Sequence, residues 1–507
     1  MAFGLRRVEP HEMGTGRVAA TLMMMAVPSM VAGLLATTFQ LVDTLFISWL
    51  GEPQVRGVAM AMPVLFIIFA VGQAAAVGVA TLVSRLLGQR EHEGARHVLE
   101  QALLASLLVG GTVSVLSPVL ARPVLALLGT PADSLHFGEL YMSRILLGVV
   151  LFHVGLTADA GLRAQGNTMT GMRIALVANV LNLALDGFFI FGPENLPAGM
   201  PYAWGAGPRL AELFVAWGLD LGVQGGATAT VLSRLLAVVL LLASLLSRRS
   251  HLRPFLSWRA VRLSRRVGAL RLNGRTLWEI YKLGFPATVS ILGMSASALL
   301  VNVILVRLDP TGVPAFFIAH RLEMFAFMPI FALGGAVVPM VGYNLGAANI
   351  DRCRRVIITS CVLAAGIMAP IGLVLFLFPE TFIGIFGPEP DMLQMGTAYL
   401  RINTLSYAIV GCDVMLSSGL QGLGRADLSM LAQLLRTIIV KLPGALLLGM
   451  ALGVTGVWIS SPVSTATCFI FASIVTWWLL RRLASRLPPW PKEDSAAEVP
   501  VADTTGP

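Results

Sequence analysis

The sequence predicts an all-α polytopic membrane protein, with twelve transmembrane helices in two pseudo-symmetric six-helix lobes. Three observations predict it. Of 507 residues, 56% are hydrophobic and only 12% charged, about half the charge of an ordinary soluble domain, and the mean hydropathy is +0.79. Apolar runs of spanning length recur twelve times along the chain. The second six runs also repeat the first six at a constant offset.

The runs lie near 18–49, 57–86, 97–120, 136–162, 172–192, 221–247, 278–307, 314–344, 354–378, 392–419, 428–450 and 453–482. Each is long enough to cross hydrocarbon with some tilt. They group into an N-lobe (18–247), an Arg-rich linker (248–277) and a C-lobe (278–482). A longer loop occupies 193–220. The remaining tail, 483–507, is Pro-rich and polar, a composition that predicts disorder. The first apolar run continues to full spanning length, which is not the pattern of a cleavable signal.

Charge orients these spans. With the N-terminus inside, the outer loops hold only Arg56, Arg122, Arg209 and Arg307. The inner side holds Arg6, Arg7, Arg17, Arg85, Arg90, Arg96, the whole linker set and the Arg481–Arg482 pair, among others. The asymmetry puts both termini in the cytoplasm. It also accounts for the net charge of +9 without a nucleic-acid partner, since no basic patch is interleaved with aromatics. The four cysteines have no metal or redox spacing. The glycines of "GLGRADL" form no P-loop, and no nucleophile constellation occurs, so neither ATP chemistry nor an enzyme is indicated. No cofactor is implied.

The repeat has four stations at one spacing. "GTPADSLHFGELY" from Gly129 matches "GPEPDMLQMGTAY" from Gly387, an offset of 258. "GLRAQG" from Gly161 matches "GLQGLG" from Gly419, Gly88 matches Gly346, and Pro28 matches Pro286. Two halves in the same orientation imply a parallel repeat about an axis along the membrane normal. After Asp186 the offset falls to 231, since "LGV" at 221–223 matches "LGV" at 452–454.

Polar residues break that symmetry. The fifth span, "ANVLNLALDGFFIFG" (178–192), carries Asn179, Asn182 and Asp186 on one helical face. A lone carboxylate there costs roughly 2.5–3.5 kcal/mol on insertion scales. At the offset of 258, Asn182 faces Val440, Asp186 faces Gly444, and Asp43 of the first span faces Val301. Only the first half keeps the acids, which points to a site in the N-lobe. By depth, Asp43 and Asp186 both lie about 9 Å inside the outer ends of their spans, with Thr230, His153 and Asn182 near the same level. Asp159 is deeper. In the eighth span, His320, Arg321 and Glu323 either neutralise one another or form an accessory C-lobe cavity that Asp413 faces.

These residues carry a family resemblance. "VPSMVAGLLATTFQLVDTLFISWLG", "GLRAQGNTMTGMRIALVANVLNLALDGFFIFG", "LGVQGGATATVLSR", "LGFPATVSILG", "VGYNLGA" and "LQGLGRADL" occur in order over 18–482. The chain thereby resembles the multidrug and toxic compound extrusion (MATE) transporters, most of all the DinF-like bacterial and archaeal branch. The resemblance implies a V-shaped pair of lobes in a prokaryotic inner membrane. It implies a monomer that exports cationic, amphipathic small molecules against a proton or sodium gradient. It also implies a coupling site of Asp43, Asp186, Asn182 and Thr230, with sodium the sole metal candidate, and a bending first helix at Pro28. Two departures stand out: Ala36 replaces a glutamine, and Phe39 replaces a tyrosine, before the first aspartate. The span-seven glutamate of NorM-like members is also absent. A lipid-linked oligosaccharide flippase of the wider superfamily is the alternative. It would want a strongly cationic cavity, whereas intramembrane cations are few (Arg144, Arg321, Arg401, Lys441).

Overall fold

The computed structural model describes residues 6–192, 218–247, 250, 252, 272–386 and 389–486. Most of the loop 193–220, most of the linker 248–277 and the tail beyond 486 lie outside the described residues. Every regular element among them is helical. In the first half these are α1 (Pro10–Thr15), α2 (Val18–Ser48), α3 (Glu52–Gly88), α4 (His92–Leu127), α5 (Ala132–Leu147), α6 (Val149–Ala164), α7 (Thr168–Ile190) and α8 (Val223–Leu246). The second half has α9 (Gly274–Leu308), α10 (Gly312–Gly346), α11 (Ile350–Leu377), α12 (Pro379–Gly384), α13 (Pro390–Thr404) and α14 (Tyr407–Gly422). It closes with α15 (Ala426–Leu434), a π-turn at Leu435–Ile439, α16 (Lys441–Leu452) and α17 (Val454–Ala484).

Ten helical stretches are long and apolar enough to cross a membrane, and the α5–α6 pair, bent by 43°, adds an eleventh. The expected twelfth, near 392–419, is the broken pair α13–α14. Both pairs break at repeat-related positions, Gly148 and Ser406, where one residue in the first half and two in the second (Leu405 and Ser406) leave the helical run. Asn167, Asn273 and Asn349 start α7, α9 and α11 by accepting backbone N–H groups in the first turn.

The backbone repeats as the sequence does. Left-handed residues recur at Arg90 and Ala348 (φ 62° and 59°) and at Gly166 and Gly424 (φ 82° and 76°), both 258 apart. Gly222 and Gly453 (φ 53° and 63°) recur at the shorter offset of 231. Arg90 and Ala348 lack the freedom of glycine, so the turn is retained in both halves against a steric cost.

The halves meet through their second helices. α3 packs on α9 and α10, and α2 packs on α10. A Cβ on Gly88 would run into the Tyr343 carbonyl, and one on Gly346 into the Arg85 carbonyl. Residues 85 and 343 are themselves 258 apart, so the contact is self-reciprocal under the repeat. Gly78 against Ile280 and Gly284 against Ala74 extend the seam, and Thr288 donates to the Ala70 carbonyl at 2.8 Å. The glycine contacts lie toward the end of the bundle that carries the N-terminus, and the Thr288–Ala70 bond lies near mid-span. At the N-terminal end α1 straps the seam: the Met13 carbonyl accepts from Asn344 (2.9 Å) and Arg352 (3.1 Å), while the Val8 backbone abuts Gly166.

Candidate functional site

α7 is flanked by α2 on one side and α8 on the other. Its far end is tied to α8 by backbone: the N–H groups of Leu219, Leu221 and Gly222 donate to Phe188, Phe189 and Ile190 at 2.9–3.1 Å. These bonds satisfy carbonyls that a helix C-terminus otherwise leaves without partners. Gly225 permits this approach, since a Cβ there would strike the Phe189 carbonyl.

The structure brings Asp43 and Asp186 together inside this three-helix joint. Asp186 is 1% exposed, and its Oδ1 accepts from the Asn182 amide one turn earlier at 3.3 Å. Asp43 arrives from α2, and its Oδ1 is buried with no hydrogen-bond partner among the described residues. That oxygen looks onto Gly226 of α8, where a Cβ would stand 3.3 Å away. The two carboxylates are close enough to repel each other, and both act electrostatically on Tyr141, a buried residue of α5. Thr230 lies one turn beyond Gly226 on the same α8 face, half-buried. Asn179 is half-buried, one turn before Asn182.

The other N-lobe candidates stand elsewhere. His153 is buried between α3 and α6, bonding the Ile68 carbonyl at 3.0 Å with its ring against Gly72. It locks two helices together. Asp159 pairs with Arg163, 3.0 Å away on the next turn of α6, and lies against Gly171 at the start of α7. Pro28 is buried in α2, which runs as one continuous helix through it.

The second half holds an open pocket lined from α9, α10, α13, α14, α16, α17 and the π-turn. His320 and Glu323 line it, joined at 3.0 Å, and Tyr399 donates to the same Glu323 oxygen at 2.7 Å. Arg321 does not join them. One residue on from His320, it is turned about 100° around the helix and lies exposed over Phe317. The cavity's cations come instead from Arg436 and Lys441. Asp413 does not face the trio either: fully buried, it accepts from the Cys468 thiol (3.0 Å) and pairs with Arg436 (3.5 Å).

Sequence reasoning missed Tyr141, Tyr399, Arg436 and Gly226. The two tyrosines sit among other polar residues of their helices and Arg436 stands in an apolar run, so none of the three formed a distinct pattern. Gly226 gave no signal, since a glycine facing a carboxylate looks like any packing glycine.

Comparison with known proteins agrees with this architecture. The family model described as MatE matches residues 28–187 and again 286–447, so its two matches begin 258 residues apart, at Pro28 and Pro286. Across 473 residues the chain is 25% identical to a protein of Shewanella oneidensis named "FAD transporter", covering 93% of this chain and 96% of that one. It is 24% identical over 468 residues to "Multidrug export protein MepA" of Staphylococcus saprophyticus, covering 91% and 94%. A solved structure described as "Outward-facing conformation of a multidrug resistance MATE family transporter of the MOP superfamily" superimposes with a TM-score of 0.82 at 20% identity. The superposition covers 95% of this chain and 100% of that one. A twofold match to one family model, at the spacing of the chain's own internal repeat, leaves a single assignment: this membrane protein belongs to the MatE family.

Proposed function

We propose that the protein is a cation-coupled exporter of amphipathic small molecules, with Asp43 and Asp186 as the coupling pair. The carrying observation is the buried Asp43 oxygen that has no hydrogen-bond partner beside a second buried acid. Two carboxylates out of water cannot both stay ionised and unpartnered without a large cost. One proton, or one monovalent cation, removes the repulsion. Asn182 and Thr230 add oxygens nearby, enough for a partial sodium cage, but Ala36 and Phe39 supply none. That poorer cage favours the proton.

The seam between the halves closes the end that carries the N-terminus, which the charge asymmetry places in the cytoplasm. The protein therefore faces outward, ready to load the coupling ion and release substrate. Binding of the ion relaxes α2 against α7, and Pro28, which cannot donate to the Met24 carbonyl, is where α2 bends. A cationic substrate competes for the ionised pair, so exchange follows without simultaneous occupancy. The names of the relatives include a drug exporter and a flavin-nucleotide transporter, so the range of substrates extends beyond simple cations.

Proteoliposomes test the coupling. With an imposed pH gradient and no sodium, an ethidium-type cation should move. Movement only after a sodium gradient is added would overturn the proton and retain the pair.

A further inference from the structure

The C-lobe cavity has the opposite polarity to the N-lobe pair, and it has it on the equivalent helix. α7 carries Asn179, Asn182 and Asp186. At the offset of 258 its counterpart is α15, the π-turn and α16, which carry Arg436 and Lys441 where α7 has Ala178 and Leu183. The π-turn makes the arrangement possible. The Val440 N–H donates to the Leu435 carbonyl five residues back, at 3.0 Å, and the widened turn sets residues five apart in line. Arg436, Thr437 and Lys441 thereby all face one cavity.

Every acid near that cavity is already engaged. Glu323 is held by His320 and Tyr399, and Asp413 by Arg436 and Cys468. Lys441 has no ion-pair or hydrogen-bond partner among the described residues, and Glu323 acts on it only from beyond ion-pair distance. An ammonium at this depth without a counter-ion is costly. The surrounding wall offers hydroxyls from Thr437, Ser461 and Ser464, and a ring and thioether surface from Phe327, Phe331 and Met294.

We propose that this cavity binds the anionic group, a phosphate or carboxylate, of an amphipathic ligand, with Lys441 as its charge partner and the aromatic wall against its body. The proposal rests on the exporter reading insofar as the ligand is a substrate. The same chemistry would also hold an anionic lipid headgroup.

The test measures equilibrium binding with no gradient, so it does not depend on coupling. The full chain in phosphatidylcholine nanodiscs is titrated with riboflavin 5′-phosphate and with uncharged riboflavin, which share one ring body, by fluorescence. We expect the phosphate to bind at least tenfold more tightly, Lys441→Met to reduce it to the riboflavin level without changing riboflavin itself, and Lys441→Arg to restore it. Repeating the titration with phosphatidylglycerol present separates the sources. Competition that Lys441→Met abolishes assigns the site to a lipid headgroup, and no competition assigns it to a free ligand. Equal affinity for the two flavins, no saturable binding of the phosphate, or a preference that survives Lys441→Met overturns the proposal. Asp43→Asn should keep the preference while losing transport, so failure of the coupling reading would appear in transport alone.

Discussion

Asp43 and Asp186 act on each other and, among the described residues, have no basic partner. Glu323 and Asp413 have bonded partners, and Asp159 has Arg163. The Asp43 oxygen beside Gly226 has none among the described residues. We expect Asp43→Asn and Asp186→Asn each to abolish efflux at near-normal abundance, because neutralising an intramembrane acid should ease insertion. Glu323→Gln should be milder, since its bonds to Tyr399 and His320 can partly persist. Resistance assays alongside immunoblots of membranes check both. Full resistance in either aspartate variant would remove the N-lobe site. The sequence pointed to these acids by their cost and by their absence from the second half. It did not show that Arg436 turns into the cavity with Lys441, because a π-turn changes the facing of residues without an obvious mark in composition.

At the scale of elements, the seam between α3 and its partners depends on glycines whose missing Cβ is filled by a neighbour's backbone. Gly346→Ala would press on the Arg85 carbonyl, which cannot withdraw as a flexible side chain can. It should cost about 1–3 kcal/mol, the usual range for overpacking. Gly366→Ala in α11 meets nothing within 4 Å and should stabilise by about 0.5–1 kcal/mol through helix propensity. Thermal unfolding of the two purified variants should shift in opposite directions. The strap α1 adds a pH-sensitive element outside the membrane. Arg6 holds the Glu12 carboxyl below its ordinary range through a direct ion pair. A depressed carboxyl contributes its full stabilisation above the ordinary glutamate value, about 4.3, and loses it as pH falls through the lower folded value. Hydrogen exchange of residues 10–15, corrected for intrinsic rates, should therefore quicken relative to neutral pH only in strong acid. In Glu12→Gln it should already be fast at pH 6. The charge pattern of α1 was visible in the sequence, but its docking was not, since Asn344 and Arg352 reach Met13 across more than three hundred residues.

For the whole molecule, topology is the quantity on which the direction of transport depends. Single cysteines replacing Met200 and Ala260 in a cysteine-free background, treated with an impermeant thiol reagent in intact cells, should label at 200 and not at 260. The reverse would invert the orientation and, with it, the sense of the closed seam.

Sequence alone determined the membrane class, the helical spans and the internal repeat. All three follow from local physics: the cost of backbone and charge in hydrocarbon, and the persistence of turn residues such as Gly166 and Gly424 at a fixed spacing. It also singled out Asp43 and Asp186, because a buried charge is expensive wherever its helix packs. The tertiary structure decided which side chains meet. It tied α7 to α8 through Gly225, set Asp43 against Gly226, diverted His153 to the Ile68 carbonyl and turned Arg436 and Lys441 into one cavity. Such outcomes depend on how helices far apart in the chain press together, and hydropathy and spacing carry no record of that.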